Sequence, residues 1–261
     1  MMKELLERLG KKTISFIQYA GGVASLLGAT LVCAPSRPLR RRSLFEQMNF
    51  IGVNSLPIVF LISLFTGMVL ALQAAYQMQK ISAEMYIASL VALSLTRELG
   101  PVLTALIVAG RVGASITAEL GTMKVTEQID ALETLAANPV KYLVVPRFLA
   151  LLIMLPILTV YSDIIGIMGG YIVGTFKLNI SHQMYMRMTY EPLKYKDIFT
   201  GLTKSIAFAV IICIIACYEG LNTEGGAEGV GRATTAAVVT SFILIIASDC
   251  FFTALFYFVG K

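Results

Sequence analysis

ALSLTRELGPVLTALIVAGRVGASITAELGTMKVTEQIDAL, residues 92–132, decides the fold. Its first two thirds are apolar and helical in pattern, with Arg97 and Glu98 embedded and Gly100-Pro101 directly after them. The remainder turns into a charged amphipathic run. A helix needs about 20 apolar residues to cross a hydrocarbon core. The apolar run 85–118 exceeds that, so it tilts, kinks at Pro101 or projects beyond the membrane.

Working outward, hydrophobic residues fill 57% of the 261 positions, charged residues only 14%, and mean hydropathy is +0.77. A soluble domain typically carries about 25% charge. The chain is therefore an all-α integral membrane protein with no room for a sizeable soluble domain. Its net charge is +5, but the basic residues stand at the edges of apolar segments. That pattern reads as membrane topology and not as nucleic-acid binding. The run containing Arg37, Arg40, Arg41 and Arg42 suits an anionic lipid surface. Cys33, Cys213, Cys217 and Cys250 all lie in apolar surroundings, and His182 is far from them in sequence, so no metal set is expected. No cleavable signal peptide is evident in the charged amphipathic start.

The apolar run 13–34 is preceded by Lys11 and Lys12 and followed by the arginine cluster. If it spanned, one basic cluster would lie on the wrong side, so it is expected to lie in or dip into the inner leaflet. Five spans are expected at 49–78, 85–118, 148–176, 198–218 and 233–259, giving a cytoplasmic N-terminus and a C-terminus on the outer side. The whole of 1–261 reads as one domain, with an N-terminal region 1–42, a bundle 49–259 and a cytoplasmic loop 119–146. The outer loop 177–197 is rich in Tyr and Met, and its four basic residues run against the charge bias. The inner loop 219–232 is acidic and rich in glycine.

Charges inside the apolar runs carry the functional content: Arg97 and Glu98 in the second span, Lys204 in the fourth, Asp249 in the fifth. Each costs about 2.5–3.5 kcal/mol at a helix centre even on insertion-based scales, so each needs a partner or a watery cavity. Two positive and two negative groups form a neutral set expected to meet inside the bundle. Arg97 and Glu98 point about 100° apart and should not pair with each other. The set either fixes helix packing or forms a polar patch able to meet a lipid headgroup. Gly110 with Ala114, and Gly166, Gly170 and Gly174, are close-approach faces for helices, including a candidate dimer seam. In the loop 119–146, Met123, Ile129, Leu132 and Leu135 can share an apolar side, opposite Glu127, Asp130 and Glu133. This predicts a short amphipathic helix ending near Asn138-Pro139, with an acidic face suited to a basic groove on a protein partner. The glycines from Gly226 to Gly231 lack the lysine and the preceding strand of a phosphate loop. His182 has no nucleophile of recognisable pattern beside it.

The stretch 92–132, with NPVKYLVVPRF (138–148), IGIMGGYIVG (165–174) and GVGRATTAAVVTS (229–241), resembles the MlaE/YrbE permeases. These are membrane subunits of ABC transporters that work with MCE proteins in lipid trafficking. The resemblance covers essentially the whole chain, most strongly 67–148. It implies a homodimer in the bacterial inner membrane, with an N-terminal elbow helix and five spans per subunit. It implies a cytoplasmic ABC ATPase, a STAS-domain protein and a periplasmic MCE hexamer as partners, and phospholipid as substrate in the upkeep of outer-membrane lipid asymmetry. ATP would be bound by the partner, and the chain itself is expected to be non-catalytic, without a cofactor. Glu127, Gln128, Asp130, Ala131 and Leu132 fall on the family's coupling helix. By position, Leu70, Gln73, Ala74, Gln77, Met78 and Ile81 are implied to line a lipid cavity at the dimer interface, together with Arg97, Glu98, Lys204 and Asp249. An ion-coupled secondary transporter, an intramembrane lipid-modifying enzyme and a structural scaffold are the alternatives from other classes.

Overall fold

A computed structural model describes residues 2–35 and 41–259, except for the side chains of 2–9, 12, 16, 81 and 259. Arg37, Arg40 and the Ile81 side chain therefore lie outside the described residues. Six helices are long and apolar enough to cross a membrane, and no strand occurs among the described residues. In chain order the helices are α1 (Met2–Cys33), α2 (Arg41–Ile51), α3 (Leu56–Met78), α4 (Ile87–Ser94), α5 (Gly100–Val108), α6 (Ala114–Val125), α7 (Gln128–Thr134), α8 (Val145–Phe176), α9 (His182–Tyr190), α10 (Tyr195–Leu221) and α11 (Gly226–Val259). The segments α4, α5 and α6 form one rod, joined by π turns at Leu95–Leu99 and Ala109–Gly113.

The helices run past the apolar windows that announce them. The third apolar run becomes a helix over Val140–Phe176 and the fourth one over Tyr195–Leu221. The fifth begins at Gly226, so the glycine run that superficially resembles a phosphate loop is the first turns of α11. Polar residues at a membrane edge can continue a helix because its backbone hydrogen bonds are internal. The expected outer loop contains α9, whose buried Tyr185 inserts beside Gly170 and Gly174. Burial pushes its phenol up to about 12, so the peg stays neutral.

α8 is the hub, with 61% of its apolar window buried against 11% for α11. Along its length α3 packs parallel and in step: Ser63 bonds Ser162 across 2.7 Å, and Gly67 meets the Gly166 carbonyl four residues on. A Cβ at Gly67 or Gly169 would collide with backbone of the facing helix. The glycine stripe of α8 is thus a close-approach face, as expected, but it is filled by α3, Leu95, Val91 and Tyr185 of the same chain and so does not serve as the candidate dimer seam. By contrast, α3 and α11 leave large side chains such as Phe65, Val69, Ile243 and Phe251 exposed, surface that needs lipid or another subunit.

α1 is long enough to span, but its contacts are at one end of the bundle. Tyr19 donates to Glu219 Oε1 at 2.7 Å and stacks edge-on against Tyr218 at 5.1 Å. Glu219 lies about 16 Å beyond the midpoint of α10 at 1.5 Å per residue. A sixth span in register would bring midpoint against midpoint. α1 instead crosses the end of the bundle that carries α7, in keeping with a dipping helix.

Candidate functional site

Pro101 begins the site. In an α-helix the N–H of residue 101 would bond the carbonyl of Arg97, and proline has none. The backbone responds with a π turn in which Gly100 N–H donates to the Leu95 carbonyl. The Arg97 carbonyl then accepts from Lys204 Nζ of α10 at 3.2 Å. Lys204 is fully buried. Its ammonium also lies 2.6 Å from Glu98 Oε2, 2.7 Å from Thr253 Oγ1 and 2.8 Å from Asp249 Oδ1. Three N–H groups cannot serve four acceptors, and Asp249 Oδ1 is the one left ion-paired without a hydrogen bond. Thr253 relays the arrangement by donating to Glu98 at 3.1 Å.

Arg97 points away from this triad, as its helical angle to Glu98 requires. Its Nη2 and Nε lie 2.7 and 2.8 Å from Oδ1 of Asp197, in the first turn of α10. Asp197 also accepts from the backbone N–H of Lys194 at 3.0 Å, which closes that helix start. The expected neutral set of four is therefore corrected. Glu98, Lys204 and Asp249 meet, whereas Arg97 takes Asp197, a residue at the edge of the apolar run. Two cations face three carboxylates. The Arg97 side chain is 51% exposed and its partner 6%, so the guanidinium presents its free edge to a cavity of about 380 Å³. Glu98, Lys196, Thr200, Thr253 and Phe256 share in lining it.

The implied lining face of α3 divides. Leu70 and Gln73 line a shallow groove of about 300 Å³ with Phe65, Val69 and Leu99, and Gln77 is exposed. Ala74 is buried and Met78 packs beside it, both in the cluster formed with Ile87, Val91 and Val173. Three- and four-residue spacing puts all five on one broad face, but its Ala74–Met78 edge is consumed by packing inside the chain.

At the opposite end, α7 spans Gln128–Thr134, started by Glu127 in a left-handed conformation at φ 57°. Ile129 is buried, and Leu132 and Met123 pack beside it, while Leu135 is 77% exposed. Leu135 leaves the expected apolar side because the helix has already ended and Ala136 turns left-handed at φ 54°. Asn138 does not end α7. Its Oδ1 accepts from the N–H groups of Val140 and Lys141 at 2.9 and 3.3 Å and so starts the third span. Glu127, Gln128, Asp130 and Ala131 are exposed, with Asp130 paired to Lys124 at 2.9 Å.

Sequence reading also passed over Asp163. One carboxylate oxygen presses on Gly100, where no side chain could fit, and it has no hydrogen-bond partner. A charge inside the third apolar run was the available signal. Among the described residues, no three of His, Cys, Asp and Glu converge as a metal site.

Residues 44–255 match the family model described as Permease MlaE. A protein of Rickettsia typhi named "Probable ABC transporter permease protein" is 49% identical over 98% of this chain and 99% of its own length. One of Synechocystis with the same description is 45% identical over 84% and 83%. The intermembrane phospholipid transport system permease protein MlaE of Haemophilus influenzae is 37% identical over the full length of both chains.

Proposed function

Since the chain belongs to the MlaE permease family, an ABC permease and not an enzyme, we propose that it moves glycerophospholipid between the bacterial inner membrane and a periplasmic MCE hexamer. The working unit is a homodimer with a cytoplasmic ATPase that binds ATP and a STAS-domain protein. The N-terminus and α7 lie in the cytoplasm, and the chain ends in the periplasm. The observation that carries this reading is a polar cavity inside an apolar bundle, where a half-exposed guanidinium stands beside a buried ammonium held by two carboxylates.

ATP-driven closure of the partner ATPases pushes on α7 through Glu127, Gln128, Asp130, Ala131 and Leu132. Ile129 and Leu132, seated in the core, carry that motion to the spans. Leu70, Gln73 and Gln77 line the lipid path, and Arg97 meets the phosphate while Lys204, Glu98 and Asp249 reset the helices. The energy comes from the partner. Co-purification of the tagged chain tests this: an ATPase should come down with it, and Glu127→Lys with Asp130→Lys should abolish its ATP-driven lipid transfer while the fold stays intact. Unchanged transfer by that double variant, or transfer driven by an ion gradient without an ATPase, would refute the reading.

A further inference from the structure

A second guanidinium sits in the same rod as Arg97. Arg111 lies in the π turn Ala109–Gly113. Its Nη1 donates to Ser55 Oγ at 2.7 Å and to the Phe50 carbonyl at 3.3 Å, and the guanidinium carbon lies 5.4 Å from the centre of the Phe50 ring. Ser55 is itself buried and donates onward to the Ile51 carbonyl at 2.6 Å. The group is therefore pinned, and both hydrogens of Nη1 are used. A guanidinium has five N–H donors, so Nε–H and the two hydrogens of Nη2 remain without an acceptor among the described residues.

Among the described residues, no carboxylate answers this charge. Arg97 faces Asp197 and Arg147 faces Glu119, whereas Arg111 has no acidic partner among the described residues. The position is below the polar edge: Glu119, the next acidic residue toward α7, is about 12 Å further along the helix at 1.5 Å per residue. Arginines in such places usually snorkel or pair. Arg111 is held by a hydroxyl and a carbonyl instead of an acid, and it is partly exposed. A planar fork with three free donors matches the diverging oxygens of a phosphate better than any single carbonyl.

We propose that Arg111 is a second phosphate-binding station for a membrane glycerophospholipid, in the α7 half of the bundle. This rests on the lipid-transport reading above. Arg97 stands about 21 Å away along the same rod, and its guanidinium already has a carboxylate. A lipid phosphate meets no such competitor at Arg111. The two stations would hold the headgroup at successive depths while its tails stay against the exposed apolar faces.

Native mass spectrometry of the protein released from nanodiscs tests the site without ATP or any partner. With phosphatidylglycerol and phosphatidylethanolamine, the wild type should retain lipid at least tenfold better than Arg111→Gln. With phosphate-free diacylglycerol the two should not differ. Arg111→Lys keeps the charge without the fork and should fall between them, which covers the case that Arg111→Gln does not fold. Equal retention by all three would overturn the proposal. So would full displacement of the lipid by inorganic phosphate, which would make free phosphate the ligand. Loss of dimer with unchanged lipid retention would also overturn it, by placing a second copy's carboxylate there. Failure here removes the Arg111 site alone; a chain that retains lipid at Arg111 yet transfers none with its ATPase present would instead sink the transport reading.

Discussion

Lys204→Met separates packing from function at the triad. Methionine keeps the length and apolar stem but removes the ammonium that Glu98, Asp249, Thr253 and the Arg97 carbonyl all face. Deleting one partner of a buried ion pair costs about 3–5 kcal/mol because the other charge is stranded. Two carboxylates are stranded here, but the Glu98 side chain is 39% exposed and that of Asp249 22%. Neither is fully enclosed, so the lower end, about 3 kcal/mol, is expected. For a chain of this size that corresponds to a drop of roughly 6–12 °C in melting temperature. Adding Glu98→Gln and Asp249→Asn to Lys204→Met removes the stranded charges and should recover most of the loss, since buried ion networks can be replaced at little net cost. Thermal unfolding in detergent reads stability, and ATP-driven lipid transfer reads function. The triple variant should melt near the wild type and still fail to transfer lipid. A Lys204→Met protein as stable as the wild type would refute the placement of the ammonium between two carboxylates. A triple variant with normal transfer would reduce the triad to packing.

Gly67→Ala should destabilise the protein by about 1–3 kcal/mol or more, because the added methyl meets the Gly166 backbone and neither helix can yield locally; melting temperature checks this, and a neutral result would contradict the α3–α8 seam. Gly100→Ala should be similarly harmful, and Asp163→Ala in the same chain should restore part of the loss, since the carboxylate is the first atom the methyl would meet. Tyr19→Phe should leave the spans intact but speed proteolysis within α1, since it removes the hydrogen bond that ties that helix to Glu219. Unchanged cleavage would show that apolar contacts alone hold α1. Asp130→Ala should shift the melting temperature little, because its pair with Lys124 is solvent-exposed and such pairs are worth about 0–1 kcal/mol.

The spans were legible because burial in hydrocarbon writes itself as unbroken apolar runs. Their ends were not, since Tyr195 to Asp197 and Gly226 to Arg232 continue helices through polar residues that no hydropathy window includes. Buried charges were visible one at a time. Their pairing depends on which helices are neighbours, so Arg97 with Asp197 could not be read from spacing alone, and Asp163 went unremarked in its run. Gly100-Pro101 announced a break but not its form. The π turn and the lysine that takes the Arg97 carbonyl come from tertiary contact with α10. Ala74 shows the same limit: periodicity put it on the lining face, and packing against α4 and α8 decided which edge of that face stays open.

Transfer of a labelled phospholipid from proteoliposomes containing the chain and its co-purified ATPase to a soluble MCE-domain acceptor, or the reverse, tests the central claim most directly. Transfer should require ATP, stop when Glu127 and Asp130 are both reversed to lysine, and proceed without an ion gradient. ATP-independent transfer that follows an imposed proton or sodium gradient would contradict it.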